Sequence, residues 1–424
     1  MNKIIQSVKG MHDCIPKDIQ IWQYTEKILK QVLTSYNYQE IRFPIIEKTE
    51  LFKHGIGNIT DITEKEMYCF KDKKNNDLAL RPEGTIGCMR SCINHGLLRQ
   101  SEQKLWYLGP MFRYEKPQFG RYRQFHQLGI ESFGFFGPNI DLEIILLIQR
   151  IWKNLNISKY INLEINTIGS INDRINYQKL LYSYFKKYEH LLDVDCKRRL
   201  HTNPFRILDS KNEDMEEIVR HAPMLIDYIS NDSLIHFEEL CKLMNNMDIS
   251  YTINHKLVRG LDYYNKTVFE WKIHKLTSKN TICAGGRYDY LSQSLGFSRI
   301  PAIGCAIGIE RLILLLESLH ILHDFKNVID IFIIFLKKDI ELNAIKLSEN
   351  IHTEIPYLKI QVNYLNGNIK QQFSKANKLG ARIVLLLGST EVKSNTVLIK
   401  DLKLKQQKIS SIKNIIQELK LFFC

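Results

Sequence analysis

The chain has 424 residues, 44% of them hydrophobic and 25% charged, a composition typical of a globular protein with two or three domains. Its longest apolar runs, such as Ile331–Leu336, are far too short to span a bilayer, and the polar segment Met1–Met11 does not resemble a signal peptide. We therefore expect a cytoplasmic protein with no membrane partner. The nine scattered cysteines complete no zinc pattern, which indicates free thiols and no metal site made of protein ligands.

The net charge of +13 is unevenly distributed along the chain. The segment from Lys326 to Cys424 contains 16 lysine and arginine residues against eight acidic ones, whereas the preceding 325 residues contain 43 against 38. A basic domain suggests a polyanionic partner such as nucleic acid. Because lysine is abundant throughout the chain, a general enrichment in lysine would explain the same excess.

The first part of the chain alternates between helices and extended segments. Apolar residues at helical spacing predict a helix over Pro16–Tyr36, and another helix is expected over residues 141–155. Ile41–Glu47 is predicted to be extended, and Pro44 within it suits a strand at the edge of a sheet.

Two longer strands are predicted next, followed by a change of character. Leu105–Glu115 and Arg121–Phe133 are strand candidates joined by the polar, basic turn Lys116–Gly120. Residues from about 170 to 245 are mostly charged helical segments, which indicates a helical insertion. Lys256–Glu317 then returns to strands, glycine turns and a helix, and the character of the sequence shifts again near residue 325. We expect residues 1–325 to form one domain around an antiparallel sheet flanked by helices.

Strands alternate with helices after residue 325, which predicts a separate α/β domain over residues 326–424 with a mixed sheet. The predicted strands are Ile329–Leu336, Ile360–Tyr364, Arg382–Leu387 and Thr396–Lys400. The predicted helices are Ile340–Ile351, Ile369–Leu379 and Ser411–Phe422.

One predicted strand has an unusual polar face. Alternation over Arg123–Glu131 places Gln127, Gly129 and Glu131 on the same side, with the two polar residues about 13 Å apart. Gly129 would leave room for a ligand close to the backbone, and Arg113 on the preceding strand would join this surface. Such a floor suits a small zwitterion plus a phosphate. The alternative is an antiparallel sheet with an ordinary solvent-facing polar side.

Three other segments add chemically active groups. The sequence LRPEGT places Glu83 in a rigid turn, where a carboxylate can accept hydrogen bonds from an ammonium group. The sequence AGGRYD, at Ala284–Asp289, joins a strand to a double glycine that would let a ligand approach the backbone. Arg311 lies on an otherwise apolar helix, which suggests either a buried ion pair or a phosphate or nucleobase contact.

The most informative segment is Leu257–Trp271, LVRGLDYYNKTVFEW. Arg259 offers a fork of donors suited to a phosphate or a carboxylate. Tyr263 and Tyr264 would point to opposite faces of an extended backbone, so that one faces a pocket while the other packs behind it. The alternative is a tyrosine-rich strand with a surface arginine.

Together these segments resemble the class II aminoacyl-tRNA synthetases, and specifically the histidyl-tRNA synthetase family. The resemblance runs from Val8 to the C-terminus. The first helix with Arg42-Phe43-Pro44, the hairpin Leu105–Gly134 and the segment Ala306–Leu312 (AIGIERL) resemble the three class motifs. LVRGLDYYNKTVFEW and AGGRYD resemble the two histidine-specific signatures. The resemblance implies a class II catalytic domain over residues 1–325, a C-terminal anticodon-binding domain and a homodimer built on the first motif.

The implied reaction has two steps: histidine and ATP form histidyl-adenylate, and the histidyl group then moves to histidine tRNA. The resemblance implies catalytic roles for Arg113 and Arg259 on either side of the α-phosphate. It implies an ATP site of Arg113, Glu115 and Arg311, with magnesium on the outer phosphates. The implied histidine site consists of Glu83, Gly84, Thr85, Arg113, Gln127, Glu131, Arg259, Tyr263, Tyr264 and Tyr288.

The tRNA contacts implied by the resemblance lie in two places. Lys116, Arg121 and Arg123 on the hairpin would reach the acceptor end. In the C-terminal domain, the candidate phosphate contacts are the lysines at 370, 375, 378, 403, 405 and 408.

Three positions depart from the usual family pattern. Behind the implied pocket, residues of different size are replaced by Tyr290, Phe297 and Cys305.

Two other functions share the fold. A regulatory partner of a phosphoribosyltransferase in histidine biosynthesis would usually lack the C-terminal domain and parts of LVRGLDYY. A catalytically dead RNA-binding protein would be expected to lose Glu83, Arg259 or Arg311. This chain retains these three residues, the C-terminal segment and the whole of LVRGLDYY.

Overall fold

The computed structural model describes residues 4–57, 60, 62–99, 102–118, 120–208, 212, 215–274, 280–320, 329–364 and 368–423. The chain divides into two compact units, Met1–Ile321 and Leu322–Cys424. The domain boundary predicted between residues 325 and 326 lies outside the described residues. Within the ranges given above, no helix has both the length and the apolar composition needed to cross a membrane.

A large sheet forms the centre of the first unit. The strands of this unit are β1 (Gln39–Glu40), β2 (Ile46–Lys48), β3 (Cys69–Lys71), β4 (Asp77–Leu80), β5 (Gln103–Phe112), β6 (Gln124–Phe133), β7 (Ile161–Thr167), β8 (Thr252–Ile253), β9 (Asn265–Ile273), β10 (Thr281–Arg287) and β11 (Ala302–Gly308). Eight of them form one sheet in the order β1-β5-β6-β11-β10-β9-β7-β8, while β2, β4 and β3 form a small antiparallel sheet.

The pairing of the large sheet confirms most of the predicted antiparallel arrangement. The six central strands are antiparallel to their neighbours. The two-residue strands β1 and β8 add a parallel pair at each edge, so the whole sheet is mixed. Phe269 and Trp271 are buried on one face of β9, whereas Glu270 and Lys272 on the opposite face are only partly buried.

Helices cover the sheet and form the predicted insertion. They are α1 (Ile19–Ser35), α2 (Thr49–Ile56), α3 (Thr85–Asn94), α4 (Asn139–Asn154), α5 (Ile171–Lys186), α6 (Val194–Thr202), α7 (Glu216–Arg220), α8 (Asn231–Asn246), α9 (Leu291–Ser294) and α10 (Ile309–Ser318). Helix α1 buries Leu29, Val32 and Leu33 on one face, as its apolar spacing predicts, and packs beside α4 and α10.

Helices α5 to α8 lie where the helical insertion was predicted. Helix α5 begins with a capping box, in which the Ser170 hydroxyl accepts from the amide of Asp173 and the Asp173 carboxylate accepts from the amide of Ser170. Asp193 caps α6 by accepting from the amide of Cys196 at 2.7 Å. Both helices also bury apolar side chains, such as Leu181 on α5 and Leu200 on α6, so capping and packing together stabilise them.

The connection between β5 and β6 is longer than the predicted turn Lys116–Gly120. Strand pairing stops where Phe112 lies opposite Gln124, and the segment between them forms a loop. The loop is closed by a hydrogen bond from the amide of Arg113 to the carbonyl of Arg123 (2.9 Å). Strand β5 therefore ends at Phe112 instead of Glu115, and β6 begins at Gln124 instead of Arg121.

The second unit confirms the predicted mixed sheet. Its strands are β12 (Ile331–Phe335), β13 (Ile360–Val362), β14 (Ile383–Leu387), β15 (Thr396–Asp401) and β16 (Gln406–Ser411). Its helices are α11 (Glu341–Glu354), α12 (Ile369–Lys378), α13 (Ser389–Lys393) and α14 (Ile415–Phe423). The order is β13-β12-β14-β15-β16, with β13, β12 and β14 parallel and the last two strands antiparallel.

Candidate active site

A cavity of about 340 Å³ lies against the large sheet, lined by residues of β5, β6, β9, β10 and β11 and by the start of α3. Most of the predicted site residues line it, namely Glu83, Gly84, Thr85, Arg113, Glu115, Arg121, Gln127, Arg259, Tyr263, Tyr264 and Arg311. Glu131 and Tyr288 are buried and do not reach the lining, while Lys116 and Arg123 lie outside it.

Glu83 is held at the start of α3 by the backbone. Its carboxylate accepts hydrogen bonds from the amides of Thr85 (2.9 Å) and Ile86 (2.8 Å), two groups that the helix itself leaves unpaired. Burial raises the pKa of this carboxyl, while the two amides and the nearby Arg113 act against the increase. An ionised carboxylate can accept about four hydrogen bonds, so Glu83 retains the capacity to bind an ammonium group.

Glu131 on β6 is the centre of a buried polar cluster. Its Oε1 accepts from the hydroxyls of Thr85 (2.8 Å) and Tyr107 (3.0 Å), and its Oε2 accepts from the hydroxyl of Tyr288. Burial raises the pKa of Glu131 to about 8, although the three hydroxyl groups act against the increase. At neutral pH the acid is therefore mostly protonated, and it can donate a hydrogen bond as well as accept one.

We expect this buried acid to make the stability of the fold depend on pH. The folded pKa of about 8 lies above the ordinary value of 4.5, so the folded chain keeps a proton that the unfolded chain releases. The stabilisation is complete below pH 4.5 and is lost as the pH rises to about 8, at up to ~1.4 kcal/mol per pH unit. In denaturant unfolding across this pH range, the free energy of unfolding should fall less steeply with rising pH for Glu131→Gln than for the unmodified chain. An equally steep fall in the variant would contradict the raised pKa of Glu131.

The glycine at the polar face of β6 serves packing instead of ligand access. A side chain at Gly129 would overlap the ring of Tyr107, which lies directly opposite on β5. The expectation that Gly129 leaves room for a ligand is therefore wrong, because Tyr107 fills that space. Sequence reasoning missed Tyr107, whose ring lines the cavity and whose hydroxyl reaches Glu131. No local pattern in the sequence marks Tyr107, because its place opposite Gly129 depends on the register of the two strands.

The double glycine of AGGRYD also brings strands together. It lies within β10, and a side chain at Gly285 would overlap the backbone of Gly304 on β11. A side chain at Gly304 would in turn overlap the carboxylate of Glu131. These glycines allow three neighbouring strands to pack closely around the buried acid, and they do not form the ligand-binding turn that the sequence suggested.

Tyr263 and Tyr264 both line the cavity from a turn before β9. The prediction that they point to opposite faces is wrong, because the backbone is not extended there and their ring centroids lie 4.6 Å apart. The Tyr263 hydroxyl donates to Oε2 of Glu83 at 3.4 Å, and the Arg259 guanidinium lies 5.7 Å from the centre of the Tyr264 ring. Burial raises the pKa of Tyr264 to about 12 against the effect of Arg259, so its hydroxyl remains a donor at neutral pH.

The three departures from the family pattern fit around this site. The guanidinium of Arg299 lies 4.3 Å from the centre of the Tyr290 ring, and Phe297 packs against the main apolar core. Cys305 is buried, lines the cavity and faces Gly285 on the neighbouring strand. A small side chain suits this place because β10 and β11 approach closely at the glycine.

Arg113 and Arg311 are oriented toward the cavity by backbone carbonyls. Arg113 donates from Nε to the carbonyl of Pro82 at 2.8 Å. Arg311 donates from Nε to the carbonyl of Gly120 (3.1 Å) and from Nη1 to that of Thr281 (2.8 Å). Burial lowers the pKa of both side chains, and the charges of neighbouring arginines lower that of Arg311 further. Guanidinium groups held close together despite their repulsion favour an anionic ligand.

Two carboxylates balance part of this positive charge. Glu270 on β9 forms an ion pair with Arg259 and accepts from the hydroxyl of Thr281 at 2.9 Å. Burial acts to lower the pKa of Arg259, but Glu270, Tyr264 and Tyr263 together raise it, so the pKa lies above its ordinary value. Glu115 forms an ion pair with Arg121. Sequence reasoning missed Glu270, although an acidic residue inside the apolar run VFEW was a visible signal.

The hairpin residues predicted to contact tRNA have partners within the loop. The Arg123 guanidinium lies 3.7 Å from the centre of the Tyr114 ring, and its Nε donates to the carbonyl of Glu115 at 3.2 Å. Arg121 forms the ion pair with Glu115, and Lys116 is exposed. Their contact with tRNA remains a prediction.

No group of three histidine, cysteine or acidic side chains that could hold a metal ion is found in the described part of the chain. Glu115 and Glu270 both line the cavity, but each is paired with an arginine. A divalent cation in this cavity would therefore depend mainly on the oxygen atoms of a ligand and of water.

The chain is similar to known proteins over its whole length. The family model described as histidyl-tRNA synthetase matches residues 10–312, and the model of an anticodon binding domain matches residues 330–421. A histidine–tRNA ligase of Buchnera aphidicola subsp. Baizongia pistaciae is 64% identical over the whole of both chains. A second one, of Buchnera aphidicola subsp. Schizaphis graminum, is 54% identical over 100% of this chain and 99% of that relative.

A solved structure gives the same result for the fold. The crystal structure of apo S. aureus histidyl-tRNA synthetase is 33% identical and superposes with a TM-score of 0.83, covering 98% of this chain and 100% of that one. The predicted combination of an α+β core and a C-terminal mixed-sheet domain is thereby confirmed. On the family model and on both full-length relatives, the chain belongs to the histidyl-tRNA synthetase family.

Proposed function

We propose that this chain activates L-histidine with ATP to form histidyl-adenylate and then transfers the histidyl group to the 3′ end of histidine tRNA. One observation carries the proposal: a single cavity combines a carboxylate suited to an ammonium group with arginines suited to phosphates. Family membership supplies the identity of the amino acid and of the tRNA.

Histidine would lie between Glu83 and the buried acid Glu131. Glu83 and Thr85, with Gln127, would bind its ammonium and carboxylate groups. Glu131 would pair with one ring nitrogen and the hydroxyl of Tyr264 with the other. A site that pairs with both ring nitrogens rejects apolar side chains of similar size, because they would leave buried polar groups unpaired.

ATP would occupy the part of the cavity that the arginines surround. The histidine carboxylate attacks the α-phosphorus in line with the departing pyrophosphate, and negative charge must be neutralised as this happens. Arg113 and Arg259 would act on the α-phosphate from its two sides. Arg311 would hold the adenine or the outer phosphates, with Glu115 beside the nucleotide.

Magnesium would accompany the β- and γ-phosphates and neutralise part of their charge. Because Glu115 and Glu270 are engaged with arginines, phosphate and water oxygens would be its main ligands. The chain's own contribution is to orient the triphosphate through Arg113, Arg259 and Arg311.

The remaining parts of the proposal concern assembly and location. We infer a homodimer and a cytoplasmic location, as expected for a family that acts in translation. Ile45 and Ile46, which follow the first class motif, are 40% and 47% exposed and provide apolar surface for a second copy. Light scattering on the purified chain should give twice the monomer mass.

Histidine-dependent exchange of pyrophosphate into ATP tests the first step, and charging of histidine tRNA tests the second. The proposal requires both activities. A chain that regulates a phosphoribosyltransferase would give neither, and a dead RNA-binding protein would bind tRNA without exchange. Exchange that other amino acids support equally well would contradict the proposed specificity.

We expect the C-terminal unit to bind tRNA largely through phosphate contacts. Lys370 and Lys378, both exposed on α12, should each contribute a contact that releases counterions. Replacing both with alanine should therefore reduce the slope of log K against log salt by about 0.7 to 0.9 per lysine. The matched control is Lys346→Ala, an exposed lysine on α11. If the slope of log K against log salt is the same for the unmodified chain and the double variant, the two lysines do not contact tRNA phosphates.

A further inference from the structure

The helical insertion begins directly beside the turn that carries Tyr263 and Tyr264. The amide of Lys266 donates to the carbonyl of Gly169 at 2.7 Å, and the amide of Ile168 donates to the carbonyl of Lys266 at 2.8 Å. The end of β7, from which α5 starts, is therefore bonded to the start of β9. This contact brings the first turn of the insertion against the backbone that presents the two tyrosines.

Arg174 completes this contact from the first turn of α5. Its Nη1 donates to the carbonyl of Asp262 (2.9 Å) and to the carbonyl of Tyr264 (2.6 Å), so one guanidinium nitrogen bridges the backbone on both sides of Tyr263. The side chain is half-buried, where charge-assisted hydrogen bonds are stronger than in water. Because the turn is not part of a strand, these bonds help to fix its conformation, together with the bond from the amide of Asp262 to the carbonyl of Ile56 (3.2 Å).

The arginine is itself held by the insertion. Its neighbour Asp173 accepts hydrogen bonds from the hydroxyls of Ser230 (2.9 Å) and Ser233 (3.0 Å) at the start of α8. The first and last helices of the insertion are thus joined beside Arg174. Movement of either helix would change the position of the guanidinium relative to the tyrosine turn.

Helix α8 is also connected to the segment that carries Tyr288. His236 on α8 lies 3.0 Å from Oδ2 of Asp141, and Arg287 lies 2.8 Å from Oδ1 of the same carboxylate. Arg287 precedes Tyr288, whose hydroxyl donates to Glu131. Two independent sets of polar contacts therefore run from the insertion to residues that surround the proposed histidine site.

We propose that Arg174 is a positioning residue for histidine, through which the helical insertion fixes the turn that presents Tyr263 and Tyr264 to the amino acid. This inference rests on the proposed function of the cavity. Arg174 is not among the residues that line the cavity. Its effect should therefore fall mainly on the binding of histidine, whereas Arg113 and Arg311, which are held by other backbone carbonyls, should be unaffected.

Pyrophosphate exchange with Arg174→Ala tests the proposal. We expect the KM for histidine to rise about tenfold, the scale of a lost hydrogen bond to a charged group, while the KM for ATP stays within about twofold. Arg174→Lys should give an intermediate KM for histidine, because an ammonium group keeps the charge but cannot reproduce the geometry of the guanidinium. The matched control is Lys179→Ala, an exposed lysine on the same helix, which should leave both KM values unchanged.

Equal changes in both KM values, or no change in either, would overturn the positioning role. If Arg174→Ala fails to fold, Arg174→Lys tests the positioning role instead. A ratio of the KM for histidine to the KM for ATP equal to that of the unmodified chain would then refute the proposal. Failure of the unmodified chain to exchange pyrophosphate would instead contradict the proposed function, so the two failures are distinguishable.

Discussion

Replacing Arg259 with alanine should slow the formation of histidyl-adenylate by about 100-fold or more, the scale of losing one preorganised electrostatic group. Arg259 lies in the cavity beside Tyr264 and forms an ion pair with Glu270. Its guanidinium is therefore already oriented before the negative charge develops on the α-phosphate. Pyrophosphate exchange at saturating histidine and ATP measures the effect, and a near-normal rate would refute the role.

A second variant separates the loss of Arg259 from its effect on Glu270. Without the arginine, the Glu270 carboxylate would remain beside the phosphates and repel them. The double variant Arg259→Ala, Glu270→Gln removes that charge. If the double variant regains most of the exchange rate, repulsion caused the loss; if it remains slow, the arginine itself acts on the phosphate. We expect the second result, with Glu270→Gln alone close to normal.

The sequence predicted most of the fold because periodic apolar patterns dominate its buried elements. In the C-terminal unit, four strands were found from their apolar runs, and each lies in the sheet. The strand β16 was missed, and the last helix was predicted to begin at Ser411 instead of Ile415. The residues of β16, QQKISS, are mostly exposed at the edge of the sheet, so they show no apolar alternation that would reveal a strand.

The composition of the candidate site was predictable, but its arrangement was not. Alternation correctly placed Gln127 and Glu131 on one strand, yet it could not reveal that the ring of Tyr107 lies across Gly129. The strand register that pairs them depends on the whole sheet. In the same way, the turn at Tyr263 depends on Arg174, which lies about 90 residues earlier in the chain. Long-range contacts of this kind leave no local pattern.

Replacing Glu131 with alanine should raise the KM for histidine by about 10- to 100-fold and leave the KM for ATP nearly unchanged. The buried carboxyl group accepts hydrogen bonds from Thr85, Tyr107 and Tyr288, whereas the arginines proposed to bind ATP line the cavity itself. Its loss would remove the partner of one ring nitrogen and leave three buried hydroxyls without their acceptor. Kinetics of exchange with each substrate varied in turn measure the two KM values.

Two control variants separate histidine recognition from damage to the sheet. Glu131→Gln keeps an acceptor and resembles the protonated acid that a pKa of about 8 favours at neutral pH, so its KM for histidine should rise less than that of Glu131→Ala. Ser132→Ala removes the next buried polar group on β6, which bonds to Tyr38 at 2.7 Å, and should change neither KM. Equal increases in both KM values for Glu131→Ala would contradict its role in binding the imidazole, because damage to the sheet would affect both substrates.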